Sequence, residues 1–142
     1  MYELPVTKGI KQVKKALELN PNDNQGVRDQ LLLYLIELGE NKKFVKYSKK
    51  YKHDNGAFAL FTRTLFTFKT EGQTEKANEQ LKTALSKNKY VAAKLISNKP
   101  AFDLPESYGF GDANEAKYYS FYAQTIWQQT DGAIEWLKRT SK

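Results

Sequence analysis

Gly9, Val13, Ala16, Leu17 and Asn20 return, in the same order and spacing, as Ala77, Leu81, Ala84, Leu85 and Asn88. The offset is 68 positions, twice the roughly 34 residues of a common helix–turn–helix repeat. Within each copy the steps of four, three and one place the apolar residues on one face of a helix. A short helix with one apolar face cannot bury that face alone, so such units must stack on their neighbours. Between the two copies, Gly39 and Gly72 each close an apolar helical run and lie 33 positions apart. One unit has therefore lost or shifted a residue.

Periodicity and punctuation divide the chain into short helices. The first is expected over Thr7–Leu19, closed by Asn20-Pro21-Asn22-Asp23, which also caps the next. The second runs over Gln25–Leu38, with Val27, Leu31, Tyr34, Leu35 and Leu38 as its core stripe. Asn41–Tyr51 follows, with Phe44, Tyr47, Ser48 and Tyr51 inward and lysines elsewhere. After the turn His53-Asp54-Asn55-Gly56, a helix over Ala57–Thr70 turns Phe58, Phe61, Leu65 and Phe68 to the core. Thr74–Lys87 carries the second copy of the repeat signature, and Val91–Ile96 reads as a short helix. Pro100, Pro105 and Gly109 mark residues 98–110 as an ordered loop. Asp112 and Glu115 have capping-box spacing ahead of a helix to Gln129. Ala133–Arg139 is the last helix, with Ile134, Trp136 and Leu137.

The spacing of Gly9, Val13, Ala16 and Pro21 resembles the second-helix half of the tetratricopeptide consensus. So does that of Ala77, Leu81 and Ala84, with Lys89 where the consensus has proline. This likeness covers about residues 7–89, with the middle unit degenerate over Lys43–Tyr51. A narrower likeness extends over most of the chain. Leu19-Asn20-Pro21-Asn22-Asp23-Asn24-Gln25-Gly26-Val27-Arg28 carries it, with Tyr108-Gly109-Phe110-Gly111-Asp112, Glu115-Ala116, Trp127 and Thr130-Asp131-Gly132-Ala133. These segments resemble a bacterial family of uncharacterised tetratricopeptide proteins, itself similar to the C-terminal part of suppression-of-tumorigenicity-seven-like proteins. The resemblance implies an all-α fold of stacked helical hairpins, an α-solenoid, closed by a non-repeating C-terminal helical cap. The expected organisation is a single tetratricopeptide-like domain over 1–142, with repeats in 7–89 and loop and capping helices in 90–142. The resemblance also implies a helix ahead of Thr7, so the chain is expected to be the C-terminal part of a longer protein. It brings no reaction, cofactor or catalytic residue.

Composition narrows the chemistry. Among 142 residues there is no cysteine, which excludes disulfides, thiolate metal sites and a cysteine nucleophile. The longest apolar block, Leu31–Ile36, has six residues, against the roughly 18 of a membrane span. Met1-Tyr2-Glu3-Leu4-Pro5 lacks the basic and apolar regions of a signal peptide, so a cytoplasmic location is expected. His53 is the only histidine and sits in a turn, so a surface role is expected of it rather than catalysis. Gly109-Phe110-Gly111-Asp112 precedes a helix but lacks the lysine and further glycines of a phosphate loop. No catalytic, cofactor-binding or metal-ligating residue is expected, and the chain is read as non-enzymatic.

Two surfaces could carry binding. By the resemblance, the first helix of each pair lines a concave groove. Positions off the core stripe would then face a protein or peptide: Asp29, Leu33, Ile36, Glu37, Thr62, Phe66 and Lys69. The competing expectation is that the C-terminal helices cover Leu33, Ile36 and Phe66. The carboxylate clamp of chaperone-binding tetratricopeptides is not expected, because Asp29 and Thr62 stand where basic or amide groups are needed. The second surface is basic. The formal charge is +7, from 23 basic and 16 acidic residues. Lys42, Lys46, Lys49 and Lys50 share one helix face that could attract nucleic acid or another anionic surface. Arginine, the usual bidentate phosphate ligand, occurs only at 28, 63 and 139. A protein partner is thus the leading expectation and nucleic acid the alternative. Homo-oligomerisation through the aromatic C-terminal helices is a third expectation.

Overall fold

A computed structural model describes residues 25–99 and 104–141 of the chain. The described residues form seven helices and no strand. They are α1 (Gln25–Leu38), α2 (Asn41–Lys50), α3 (Ala57–Glu71), α4 (Glu75–Lys87), α5 (Val91–Ile96), α6 (Ala113–Gln129) and α7 (Ala133–Thr140). The all-α class read from periodicity is therefore observed. The helix expected over Thr7–Leu19, its Asn20–Asp23 cap and the loop residues 100–103 lie outside the described residues. No described helix is long and apolar enough to cross a membrane.

The chain divides into two compact units, residues 1–52 and 53–142. In the first, α1 packs against α2. Gly39, with φ +72°, and Glu40 join them. Leu31, Leu32, Leu33, Leu35 and Ile36 are all buried. That burial is nearly all-round, as expected of a helix apolar on every side. Leu38, read as part of the core stripe, is instead exposed, because it lies in the last turn beside the glycine stop. On α2 only Phe44 is buried, while Tyr47, Ser48 and, just past the helix end, Tyr51 are half-buried.

In the second unit, α3 and α4 form a hairpin across Gly72-Gln73-Thr74. Gly72 has φ +82° and its N–H donates to the Phe68 carbonyl at 2.8 Å. A left-handed residue closing a helix is the natural place for glycine. Thr74 then caps α4 by accepting from the Ala77 N–H at 3.1 Å. The short α5 lies on α6, α6 also packs on α3, and α7 touches α4, α5 and α6. Aromatic rings fill the centre. Tyr119 and Trp127 of α6 meet Phe61 of α3, and Phe58 stands edge-on to Tyr119 at 4.8 Å. Trp136 of α7 stacks on Phe68 at 4.5 Å and donates from Nε1 to Asn78 Oδ1 at 2.8 Å.

Polar side chains stitch these helices at their ends. Gln124 Nε2 of α6 donates to the carbonyls of Lys94, Ser97 and Lys99. Gln128 Nε2 donates to those of Leu95 and Ser97. The last turn of a helix leaves carbonyls without intrahelical partners. Here two glutamines one turn apart on α6 supply donors at the end of α5, beside the Ser97 N–H that donates to the Ala93 carbonyl at 3.1 Å.

Candidate functional site

The groove positions have different fates. Asp29, Leu33, Ile36 and Thr62 are buried, Phe66 is half-buried, and only Glu37 and Lys69 are exposed. Thr62 is 0 % exposed and donates from Oγ1 to Tyr119 Oη at 3.3 Å. Buried side chains are not a surface that a partner can touch. The physical reason lies in the helices themselves: α1 and α3 are enclosed on nearly every side, so positions off the main stripe are also core.

The lysines lie where helical spacing puts them. Lys42, Lys46, Lys49 and Lys50 are exposed on the face of α2 opposite buried Phe44. Eight steps of about 1.5 Å from Lys42 to Lys50 make this face roughly 12 Å long. The helix holds five lysines and no acidic residue. Among the described residues, no carboxylate comes within ion-pair distance of these four ammonium groups. Two of them lie near aromatic rings: Lys46 Nζ is 5.8 Å from the Tyr47 ring centre and Lys50 Nζ 5.5 Å from that of Tyr51. The Arg28 guanidinium lies 4.7 Å from the Tyr51 ring centre. Lys49 and Lys50 sit in the last turn, where the helix dipole favours positive charge.

A second exposed region surrounds the start of α6. Tyr108 stacks on Tyr118 at 4.9 Å, and Tyr118, Phe121 and Tyr122 continue along α6 in edge contacts. Tyr108, Phe110 and Phe121 are exposed. Beneath them is a polar knot. Asp112 Oδ1 accepts from the Glu115 N–H at 2.7 Å, and Oδ2 from the Gly109 N–H at 2.7 Å. Glu115 does not complete the reciprocal capping box. Its Oε1 reaches past the Asp112 N–H, which donates to the Gly109 carbonyl, and accepts from Gly111 N–H at 2.8 Å. It also accepts from Asn88 Nδ2 at 2.9 Å. Asn88 Nδ2 donates in addition to the Asp112 carbonyl, and Asn88 Oδ1 accepts from the Tyr90 N–H. Asn88, the terminal residue of the repeated signature, thereby ties the end of α4 to the starts of α5 and α6.

Backbone N–H groups of Glu115 and Gly109 hold the Asp112 carboxyl below its ordinary value of 3.8. The folded state therefore favours the ionised form. That contribution to stability is present above about 3.8 and is lost as pH falls through the lowered folded value. Asp112→Asn is expected to be less stable than the parent at pH 7, with the gap closing on acidification. Urea unfolding between pH 2.5 and 7 checks this; a gap independent of pH would show that charge is not involved.

His53 is exposed in its turn, and the neighbouring Asp54 carbonyl accepts from Arg63 Nη1 at 2.7 Å. No group of three or more His, Asp or Glu side chains suited to a metal occurs among the described residues. No family model, no curated protein and no solved structure matches the chain.

Proposed function

We propose that the chain is a non-catalytic protein-interaction module, built from tetratricopeptide-like helical hairpins, that docks an acidic segment of a partner protein on the lysine face of α2. The observation that carries this reading is the set of four exposed lysines on one face without a carboxylate partner among the described residues. At about 3.3 Å per residue, an extended peptide would place roughly four residues along its 12 Å. The tetratricopeptide element rests on the 68-residue self-offset and on the glycine-closed hairpins α1/α2 and α3/α4. The alternative reading is a nucleic acid or an anionic lipid surface, favoured by the overall charge of +7. The scarcity of arginine weighs toward the protein reading.

The triple variant Lys42→Glu, Lys46→Glu, Lys49→Glu separates these cases. All three side chains are exposed, so the fold should persist, as circular dichroism would verify. Binding of a fluorescent poly-glutamate peptide is expected to fall by at least tenfold, and the parent's affinity to weaken with salt. Single-stranded RNA binding with a steeper salt dependence than the peptide's would favour the alternative. Equal peptide binding by parent and variant would remove the lysine face from the proposal.

A further inference from the structure

A cavity of about 250 Å³ opens beside the polar knot, between the start of α3, the end of α4 and the start of α6. Asn55, Gly56, Lys87, Phe110, Gly111 and Glu115 line it. Glu115 is only 3 % exposed. Its Oε1 holds both donated hydrogen bonds, from Asn88 and Gly111. The hydrogen bonds to this carboxylate among the described residues leave Oε2 without a donor, and Oε2 lies 3.8 Å from where a Cβ on Gly56 would stand. One oxygen of an otherwise enclosed carboxylate is thus turned into the cavity. Phe110 stands at the same mouth. Its Cε1 would be 3.1 Å from that Gly56 Cβ, yet the residue is 82 % exposed. The missing side chain at Gly56 is what gives the ring its place.

The charges decide what fits. Glu115 supplies a full negative charge, and the end of α4 adds carbonyl character. The Lys87 carbonyl oxygen lies 3.3 Å from where a Gly111 Cβ would stand. Helix C-termini carry about half a negative charge and N-termini about half a positive one. The α6 N-terminus is already met by Asp112, leaving the α3 N-terminus at Gly56 and the exposed Lys87 ammonium as opposing terms. A divalent metal would need about six oxygen ligands, more than one carboxylate oxygen and one carbonyl. An anion would face the Glu115 carboxylate. An ammonium group could give one N–H to Oε2 and lay its alkyl stem and charge against the Phe110 ring.

We infer that this cavity is a binding site for a primary alkylammonium group, with Glu115 Oε2 as its counter-ion and Phe110 as its apolar wall. The site lies in the second unit, and the inference does not depend on the lysine face. The group could come from a free amine or from a lysine side chain of another protein.

The test is a titration of the intact protein with n-butylammonium chloride, followed by the amide NMR signals of Gly56, Phe110 and Gly111. Sodium chloride at equal ionic strength is the control. Saturable shifts confined to these amides are expected, with a Kd on the order of 1–10 mM for so small a ligand. Glu115→Gln keeps an acceptor for Asn88 and Gly111 but removes the charge, and should weaken binding at least tenfold. Phe110→Ala alters an exposed ring, so the fold should tolerate it, and binding should weaken roughly three- to fivefold. Nα-acetyl-lysine amide provides the second arm: tighter binding than butylammonium assigns a protein side chain, and weaker binding a free amine. Shifts identical to those with sodium chloride would overturn the inference. So would undiminished binding in both variants, or saturable binding of sodium acetate in place of the amine.

Discussion

Trp127→Ala is expected to remove about 3–5 kcal/mol of stability. The indole is fully buried on α6, meets Phe61 of α3 at 6.3 Å, and donates from Nε1 to Tyr119 Oη at 2.9 Å. Truncation leaves a cavity between two helices that cannot close without moving α6 relative to α3. It also removes a donor to a buried phenol oxygen that Thr62 approaches only at 3.3 Å. A domain of ordinary stability has about 5–15 kcal/mol in total, so this one change consumes a large share. The midpoint of thermal unfolding should fall by roughly 10–20 °C. Trp127→Phe separates the two causes. It keeps most of the volume and loses the N–H, so a loss of about 1–2 kcal/mol is expected. Urea unfolding of both variants checks the ordering. A Trp127→Phe loss equal to that of Trp127→Ala would mean that the hydrogen bond, not packing, dominates this part of the core.

The helices were legible because their signals are local. Gly39 and Gly72 end helices where left-handed backbone is needed, and Thr74 and Asp112 cap where a short polar side chain meets a free N–H three residues on. Such features involve neighbours in sequence, and the residues themselves carry the information. Burial on a second face is different. Leu33, Ile36 and Thr62 read as groove because periodicity chooses one best stripe per helix, and Thr62 is polar. The apolar run Leu31–Ile36 was the available sign that α1 is buried beyond a single stripe. Thr62 gave no such sign: its burial depends on Tyr119, 57 positions away.

The lysine face was legible for the same reason that the groove was not. Lysine carries its own preference for solvent, so spacing alone places it correctly. The polar stitches were not legible. Gln124 and Gln128 look like ordinary surface residues of α6, and their acceptors lie 25 to 33 positions back. Glu115 read as half of a capping box, yet its longest-range partner is Asn88, 27 positions earlier. The capping signature located the right residue and understated its role. Asn88 was visible only as the last member of the repeat.

That asparagine carries the second large effect. Asn88 is buried, and its amide donates to both Glu115 Oε1 and the Asp112 carbonyl at 2.9 Å. Asn88→Asp preserves shape and reverses the chemistry, setting a second carboxylate against Glu115. At pH 7 the expected loss is about 3–4 kcal/mol, the scale of breaking a buried charged contact. Asn88→Ala should cost about 2–3 kcal/mol through unpaired buried groups, with little pH dependence. The aspartate variant should differ in how it responds to acid. The introduced carboxyl has a raised folded pKa, because ionisation would place like charges together. Its protonated form can donate to Glu115 much as the amide does. A group with a raised folded pKa stabilises below the unfolded value, about 3.9 for aspartate, and loses that contribution as pH rises. The deficit of Asn88→Asp relative to the parent should therefore be small near pH 4 and grow by up to about 1.4 kcal/mol per pH unit. A deficit of about 3 kcal/mol corresponds to roughly two units, so the curve should level off near pH 6. Urea unfolding of both variants from pH 4 to 8 measures this difference. Parallel curves for Asn88→Asp and Asn88→Ala would mean that the Glu115 carboxylate does not face Asn88. The tie between the end of α4 and the start of α6 would then rest on the Asp112 carbonyl alone.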